Sequence, residues 1–323
     1  MITLFACPRG FTDPETALAQ VKAIQSWLLL QPRPQIILFG DEPGVREIAQ
    51  QYALEHIPEV QLTAHGTPIL SDIFRIARTQ AKHKYLAYVN ADICIGKRIY
   101  EAIKVAEKKW PHFLLVSSPH VVPYEKLEIR AGFEEEALNQ LVSSPTPSGA
   151  DLFIFSKLVY DKVYVSMPPF IVGRLFWDFW LMAEAVLRGI PCIDGSEYAL
   201  TFHPLDKRST HASKNVDAFY AYKPHHKEES AYNVSLFDVG HEISRTELSY
   251  YLTRDGRIAK RNAGGRWEAW VRQHMKRLLD QTASWRYSLG LYRWWKSAPW
   301  REQIRQRRNQ RDSHTFVQKY EVS

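Results

Sequence analysis

The run Tyr85-Leu86-Ala87-Tyr88-Val89-Asn90-Ala91-Asp92-Ile93-Cys94-Ile95 is apolar or aromatic on both faces except at Asn90 and Asp92. An amphipathic segment precedes it, with Ile69, Ile73, Ile76 and Ala77 at helical spacing, and another follows from Lys97 to Lys109. Helix, short apolar run and helix make the pattern of an α/β domain. A strand apolar on both faces belongs inside a parallel sheet, where ligands bind beyond the carboxyl ends of the strands. Asn90 and Asp92 stand at such an end. A carboxylate there can hold a hard divalent cation and, through it, a diphosphate.

The rest of the first half repeats the alternation. Ile2 to Ala6 reads as a strand, Asp13-Pro14-Glu15 as a helix start, and Gln35 to Phe39 as a second strand closed by Gly40-Asp41-Glu42-Pro43-Gly44. Val45 to Tyr52 reads as a helix, and Val60 to Leu62 as a short third strand. Right-handed crossovers then predict a doubly wound, mainly parallel sheet. Residues 118–149 interrupt the pattern. It returns with a strand at Asp151 to Phe155, a helix from Trp177 to about Arg188, a short strand ending in Asp194 and another delivering His203. The expected division is a catalytic domain over 1–215 and an extension over 216–323, irregular and then helical.

Three cysteines in 323 residues, far apart, form neither a disulfide framework nor a zinc spacing, which fits a reducing cytosol. Met1 leads straight into the first strand without a basic leader, so no signal peptide is expected. The most apolar window, Pro168 to Ile190, carries Arg174, Asp178, Glu184 and Arg188 and is not a membrane span. Residues 267–312 hold eleven Lys or Arg against four Asp or Glu, so this stretch alone carries +7, equal to the whole chain's net +7. Six of the ten tryptophans lie there as well, the composition of a segment lying on an anionic membrane surface or packed as a helix with a basic face. The basic charge is therefore a property of the tail. Nothing in 1–215 has the character of a nucleic-acid domain, so nucleic acid is not expected as a partner.

The missing motifs exclude other chemistry. There is no Gly-x-Gly-x-x-Gly after the first strand, no P-loop, no Gly-x-Ser-x-Gly and no His-Glu-x-x-His. A dinucleotide oxidoreductase, a P-loop NTPase, an α/β-hydrolase and a zincin are disfavoured together.

Tyr88-Val89-Asn90-Ala91-Asp92-Ile93 resembles the Asp-x-Asp motif of the nucleotide-sugar glycosyltransferases of GT-A fold, with Asn in the first place. Ser148-Gly149-Ala150-Asp151-Leu152-Phe153, Pro168 to Arg174, Trp177-Asp178-Phe179-Trp180-Leu181 and His203-Pro204-Leu205-Asp206 through His211 resemble, in order, a set found in bacterial and plant proteins of this kind. The resemblance covers residues 1–215 and implies a GT-A type sheet and a nucleotide-sugar donor. It implies Mn2+ or Mg2+ as cofactor and a glycan or lipid-linked acceptor in envelope or polysaccharide synthesis; the cysteines and the basic tail add the expectation of a cytoplasmic location, peripheral on the inner face of a membrane. It makes Asp92 the metal ligand, and Asn90 a contact to ribose or ordered water. It makes Asp178 the general base of an inverting reaction, with helix-dipole stabilisation of a carboxylate at a helix start as the plainer reading. His203 becomes a metal or diphosphate contact that would favour manganese, with His211 a weaker candidate. Asp151 is left between a bond to sugar hydroxyls and a loop cap, and Arg174 between the diphosphate and a structural ion pair. Asp41, and Pro8 with Arg9, fall where family members contact the nucleotide, although a plain turn also accounts for Asp41. A donor-binding module that has lost catalysis stays open beside the enzyme, because Asn90 removes one charge.

Overall fold

A computed structural model of the chain describes residues 1–141, 145, 149–198, 200–205, 224–236 and 243–261. The basic tail at 267–312, Ser148, Asp206 and His211 lie outside the described residues.

The first half is built as its periodicity requires. Strand β1 (Ile2–Ala6) leads to α1 (Pro14–Leu28), whose start is fixed by Asp13 accepting from the Thr16 N–H at 3.0 Å, with proline at the first helical position. Next come β2 (Gln35–Phe39), α2 (Val45–Gln51) and β3 (Glu55–Ile57). The third strand is thus Glu55–Ile57 and not Val60–Leu62, and Leu62 makes only an isolated bridge to Pro68. Helix α3 (Leu70–Gln80) buries Leu70, Ile73, Phe74 and Ala77 on one face and precedes β4 (Tyr85–Val89). The central run is not one strand through Ile95. It turns at Asn90, where the Ile93 N–H donates to the Asn90 carbonyl at 3.1 Å, and resumes as β5 (Cys94–Ile95) in another sheet.

Helix α4 (Ile99–Lys109), β6 (Leu114–Ser117), β7 (His120–Pro123), α5 (Phe133–Leu138), β8 (Leu152–Ser156), α6 (Lys157–Lys162) and α7 (Trp177–Leu187) follow. The described residues end with β9 (Cys192–Asp194), β10 (Thr201–Leu205), α8 (Pro224–Leu236), β11 (Tyr250–Leu252) and β12 (Ile258–Lys260).

Nine strands form one sheet in the order β12-β11-β9-β6-β8-β4-β1-β2-β3. All neighbours are parallel except at β8, which runs against both β4 and β6, and at the β11–β12 hairpin. The architecture is therefore a mainly parallel α/β sheet with helices on both faces. Along β1, Leu4 and Ala6 pack with Ile24 and Trp27 of α1 and Ile99 of α4, while Phe5 faces Phe74 of α3. The second face is aromatic: Phe74 stacks on Phe155 at 5.6 Å, and Trp177 meets Tyr88 edge-on at 5.3 Å. Burial of residues on both faces of β1, β2, β4, β6, β8 and β9 is the dominant stabilising term.

Two features place the site. The reversal of β8 brings its first residue to the edge where β1, β2, β4 and β6 end. A small sheet, β5-β10-β7, stands beside that edge with Phe202 paired to Cys94. Residues beyond 215 join the same body, β11 through β9 and α8 through the loops described below.

Candidate active site

Asp92 sits in the turn that follows β4. Helix α1 holds this turn from beneath: Trp27 Nε1–H donates to the Ile93 carbonyl at 2.9 Å, and the Ile95 N–H donates to Ser26 Oγ at 2.9 Å. The small sheet then sets His203 Nε2 3.5 Å from Asp92 Oδ2, with 45% of the Asp92 side chain open to solvent. Partial burial works to raise the Asp92 pKa, but the His203 hydrogen bond and charge, with Arg9 adding to them, hold it below its ordinary value. Asp92 is ionised throughout the neutral range.

Asp151 reaches the same edge because β8 starts there. Its N–H donates to the Ser117 carbonyl at 3.0 Å and its carbonyl accepts from the Asn90 N–H at 3.0 Å, so it bridges the ends of β4 and β6. Asn90 Nδ2 donates to Asp151 Oδ1 at 2.6 Å. The carboxamide in the first place of the motif is thus spent on a neighbouring carboxylate, to which an Asp at 90 would bring a like charge. Burial first, then the Asp92 charge, push the Asp151 pKa up to about 6, against the pull of His203 and Asn90.

Asp178 occupies the first turn of α7. Burial, and next the charge of Asp151, raise its pKa to about 7, with the nearby backbone of Phe179, Asp178 and Ala150 pulling the other way. The loop ahead of β8 approaches so closely that a Cβ on Gly149 would lie 2.5 Å from Asp178 Oδ2. No other residue type fits there without displacing the carboxylate. The residue that caps α7, Phe176, has φ +73°, a left-handed conformation costing a bulky residue about 1–3 kcal/mol.

The rim beside these groups is formed by the ends of β1 and β2. Pro8 is buried and Arg9 exposed. The Arg9 backbone is fixed by the buried Gln20 of α1, which accepts from its N–H at 2.8 Å and donates to its carbonyl at 3.0 Å. The Phe11 N–H donates to the Pro43 carbonyl at 2.8 Å, and Gly44, at φ +89°, passes so close to Phe11 that a Cβ would meet it at 2.9 Å. Asp41 is exposed on this second loop, 3.5 Å from Arg46.

One expected group, Arg174, and the strand-end Asp194 are engaged elsewhere. Arg174 donates to Glu229 of α8 from Nε at 2.8 Å and Nη2 at 2.5 Å, with both side chains buried. Asp194 is saturated by Arg245 at 2.6 Å, Arg261 at 2.5 Å and Ser196, in a buried cluster that ties β9 to the segment carrying β11. Gln20 and Gly149 were not singled out as site residues from the sequence. Ser148-Gly149 directly before a strand was the one available sign of the latter.

Asp92 and His203 offer a carboxylate oxygen and an imidazole nitrogen side by side, a donor pair suited to manganese or magnesium. Among the described residues no group of three or more His, Cys, Asp or Glu is arranged around one point as a metal cage. Further positions on such an ion would belong to ligand and water. No helix among the described residues is long and apolar enough to cross a membrane.

No protein-family model matches the sequence, and a search of curated proteins finds no match. Among solved structures, residues 1–349 of TarS from S. aureus in complex with UDP-GlcNAc are similar at 13% identity and TM-score 0.43, covering 72% of this chain and 71% of that one. A mannosyltransferase from Pyrobaculum calidifontis in complex with GDP-Man and Mn2+ is similar at 12% identity and TM-score 0.43, covering 73% and 64%. A cytidylyltransferase from Leptospira borgpetersenii is similar at 10% identity and TM-score 0.37, covering 76% and 91%. At these scores the superpositions decide neither fold nor function, which rest on strand register and side-chain distances.

Proposed function

We propose that the chain is a glycosyltransferase of GT-A type that moves a sugar from a nucleotide-sugar donor to a hydroxyl acceptor with inversion. The observation that carries this reading is the row of carboxylates along one sheet edge, with Asp92 beside His203, Asp151 bridging the ends of β4 and β6, and Asp178 against Gly149. Asp92 and His203 would hold a divalent cation, which when bound supplies positive charge to the leaving diphosphate. Arg9, on the rim beside Asp92, adds a cation on the donor side. Asn90 orients Asp151, which is placed to accept from sugar hydroxyls. Asp178 takes the proton of the acceptor hydroxyl as that oxygen bonds to the anomeric carbon and the bond from that carbon to the diphosphate oxygen breaks. A base whose pKa lies near the working pH is both available and strong enough for this step.

Calorimetric titration of the full-length chain with UDP-, GDP-, dTDP- and CMP-sugars in the presence of manganese, followed by assay of nucleotide release, tests the proposal. Saturable binding with turnover supports it. Binding without turnover makes the chain a donor-binding module, and no binding by any donor removes both readings.

The acceptor we infer is a glycan or lipid-linked glycan of envelope or polysaccharide synthesis, met at the cytoplasmic face of a membrane. This rests on the charge and tryptophan content of 267–312 alone, where each basic residue near an anionic leaflet contributes about 1 kcal/mol. The full-length chain is expected to float with anionic vesicles at low salt and a chain ending at Gly265 to stay behind. Equal behaviour of the two ends this part of the proposal.

A further inference from the structure

Helix α8 supplies none of the carboxylates at the sheet edge, yet two of its buried side chains grip one loop. Asn233, with no exposed surface, accepts from the Ile171 N–H at 2.8 Å and donates through Nδ2 to the carbonyls of Ile171 at 3.1 Å and Leu175 at 3.2 Å. Glu229 lies four residues earlier and therefore on the same helix face, where it binds Arg174 of that loop and Thr63 Oγ1 at 2.8 Å. One carboxamide thus closes residues 171–175 at both ends.

The next residue is Phe176, whose left-handed backbone caps α7 and whose carbonyl accepts the first helical bond, from the Trp180 N–H at 3.0 Å. Trp177 is wedged against Tyr88 and Phe153, at 5.3 and 5.5 Å between ring centroids. Asp178 follows. An aromatic residue keeps a left-handed conformation only where its surroundings over-determine it. On the upstream side, the surroundings of Phe176 are the loop held by Asn233.

We propose that Asn233 is a positioning residue for Asp178, acting through the loop 171–175 and the left-handed Phe176, so that α8 belongs to the framework of the site. The catalytic part of this inference rests on the reading of Asp178 as the base. With Asn233 removed, the loop loses three bonds and Phe176 relaxes toward a right-handed backbone. Rotation there swings the Asp178 carboxylate away from Ala150 and Gly149. The donor side, built on β1, β2 and β4, is held by Gln20, Ser26 and Trp27 of α1 and stays as it was.

The test uses the full-length chain carrying Asn233→Ala, or Asn233→Ser where the alanine variant does not fold. The affinity for the nucleotide sugar that the titration above selects is expected to stay within about twofold. Nucleotide release is expected to fall about tenfold or more, the order of effect that a small misplacement of a reacting group produces. Phe176→Asn in the same background is expected to restore several-fold of the loss, because asparagine tolerates the left-handed conformation that phenylalanine resists. A loss of donor affinity equal to the loss of rate, or no recovery with Phe176→Asn, overturns the proposal. A readout free of turnover is the 15N–1H resonance of Gly149, which packs directly against Asp178 Oδ2. It is expected to shift in the Asn233 variant as the carboxylate moves away and to return in the double variant. An unmoved resonance in a folded Asn233 variant overturns the proposal too, even if no donor is ever turned over and the transferase reading falls by itself.

Discussion

Asp178→Asn is expected to leave donor affinity within about twofold and to lower transfer by roughly 10²–10⁴-fold, the usual contribution of a positioned base. The amide keeps the shape of the side chain and loses the proton acceptor. In the parent the rate should climb with pH through about 7, where Asp178 ionises, and the residual rate of the variant should lack that rise. Stability moves the other way. Because the folded chain holds the Asp178 proton up to about pH 7 and the unfolded chain releases it near its ordinary 3.8, stability is lost as pH rises through that window. The amide has no charge to bury, so the variant should melt higher than the parent at pH 8, with the gap closing toward pH 4. Asp178 is partly open to solvent, so the gain is on the order of 1 kcal/mol, about 2–4 °C for a chain of this size. Gly149→Ala should lose transfer as well, since its Cβ would enter the place of Oδ2. Unchanged transfer by Asp178→Asn at saturating donor would exclude Asp178 and leave Asp151 as the base.

Asp92→Ala is expected to weaken manganese-dependent donor binding by about 100-fold, equivalent to about 3 kcal/mol. Asp92 is the carboxylate held below its ordinary pKa and set beside His203, whereas the nearby Asp151 carboxylate is taken up by Asn90. Its contribution to folding is small: the side chain is 45% exposed at the mouth of the site, and the turn beneath it is held by Trp27 and Ser26. The melting temperature should therefore move little. Calorimetry with donor and manganese decides the matter, and an affinity equal to the parent's would place the donor somewhere else.

The elements legible in the sequence are those with local causes. Asp13, Pro14 and the buried stripe of α1 specify that helix within its own span, and β1, β2, β4 and β8 are apolar on both faces. The third strand was placed late because Glu55 and His56 lack the composition of a strand; they pair with β2 at the sheet margin, where a strand needs little burial. Asp92 and Asp178 could be picked out as a strand end and a helix start. What they meet could not be. The 2.6 Å bond from Asn90 to Asp151 depends on β8 running backward, a fact of register that no window of sequence contains. Nor does anything near Arg174 foretell that a glutamate 55 residues later takes its guanidinium.

The position of β8 between β4 and β6 also bears on how the molecule comes into being. Asn90 and Asp151 are 61 residues apart, β4 pairs with a β1 that starts at Ile2, and His203 arrives on a strand made after all of these. Each of these joints closes a long loop before any contact rewards it, which places such pairings late in folding. A nascent chain therefore brings Asp92 and His203 side by side only after β10 has been made. The edge that carries Asp92, Asp151 and His203 is assembled by pairings across the chain and not in the order of synthesis.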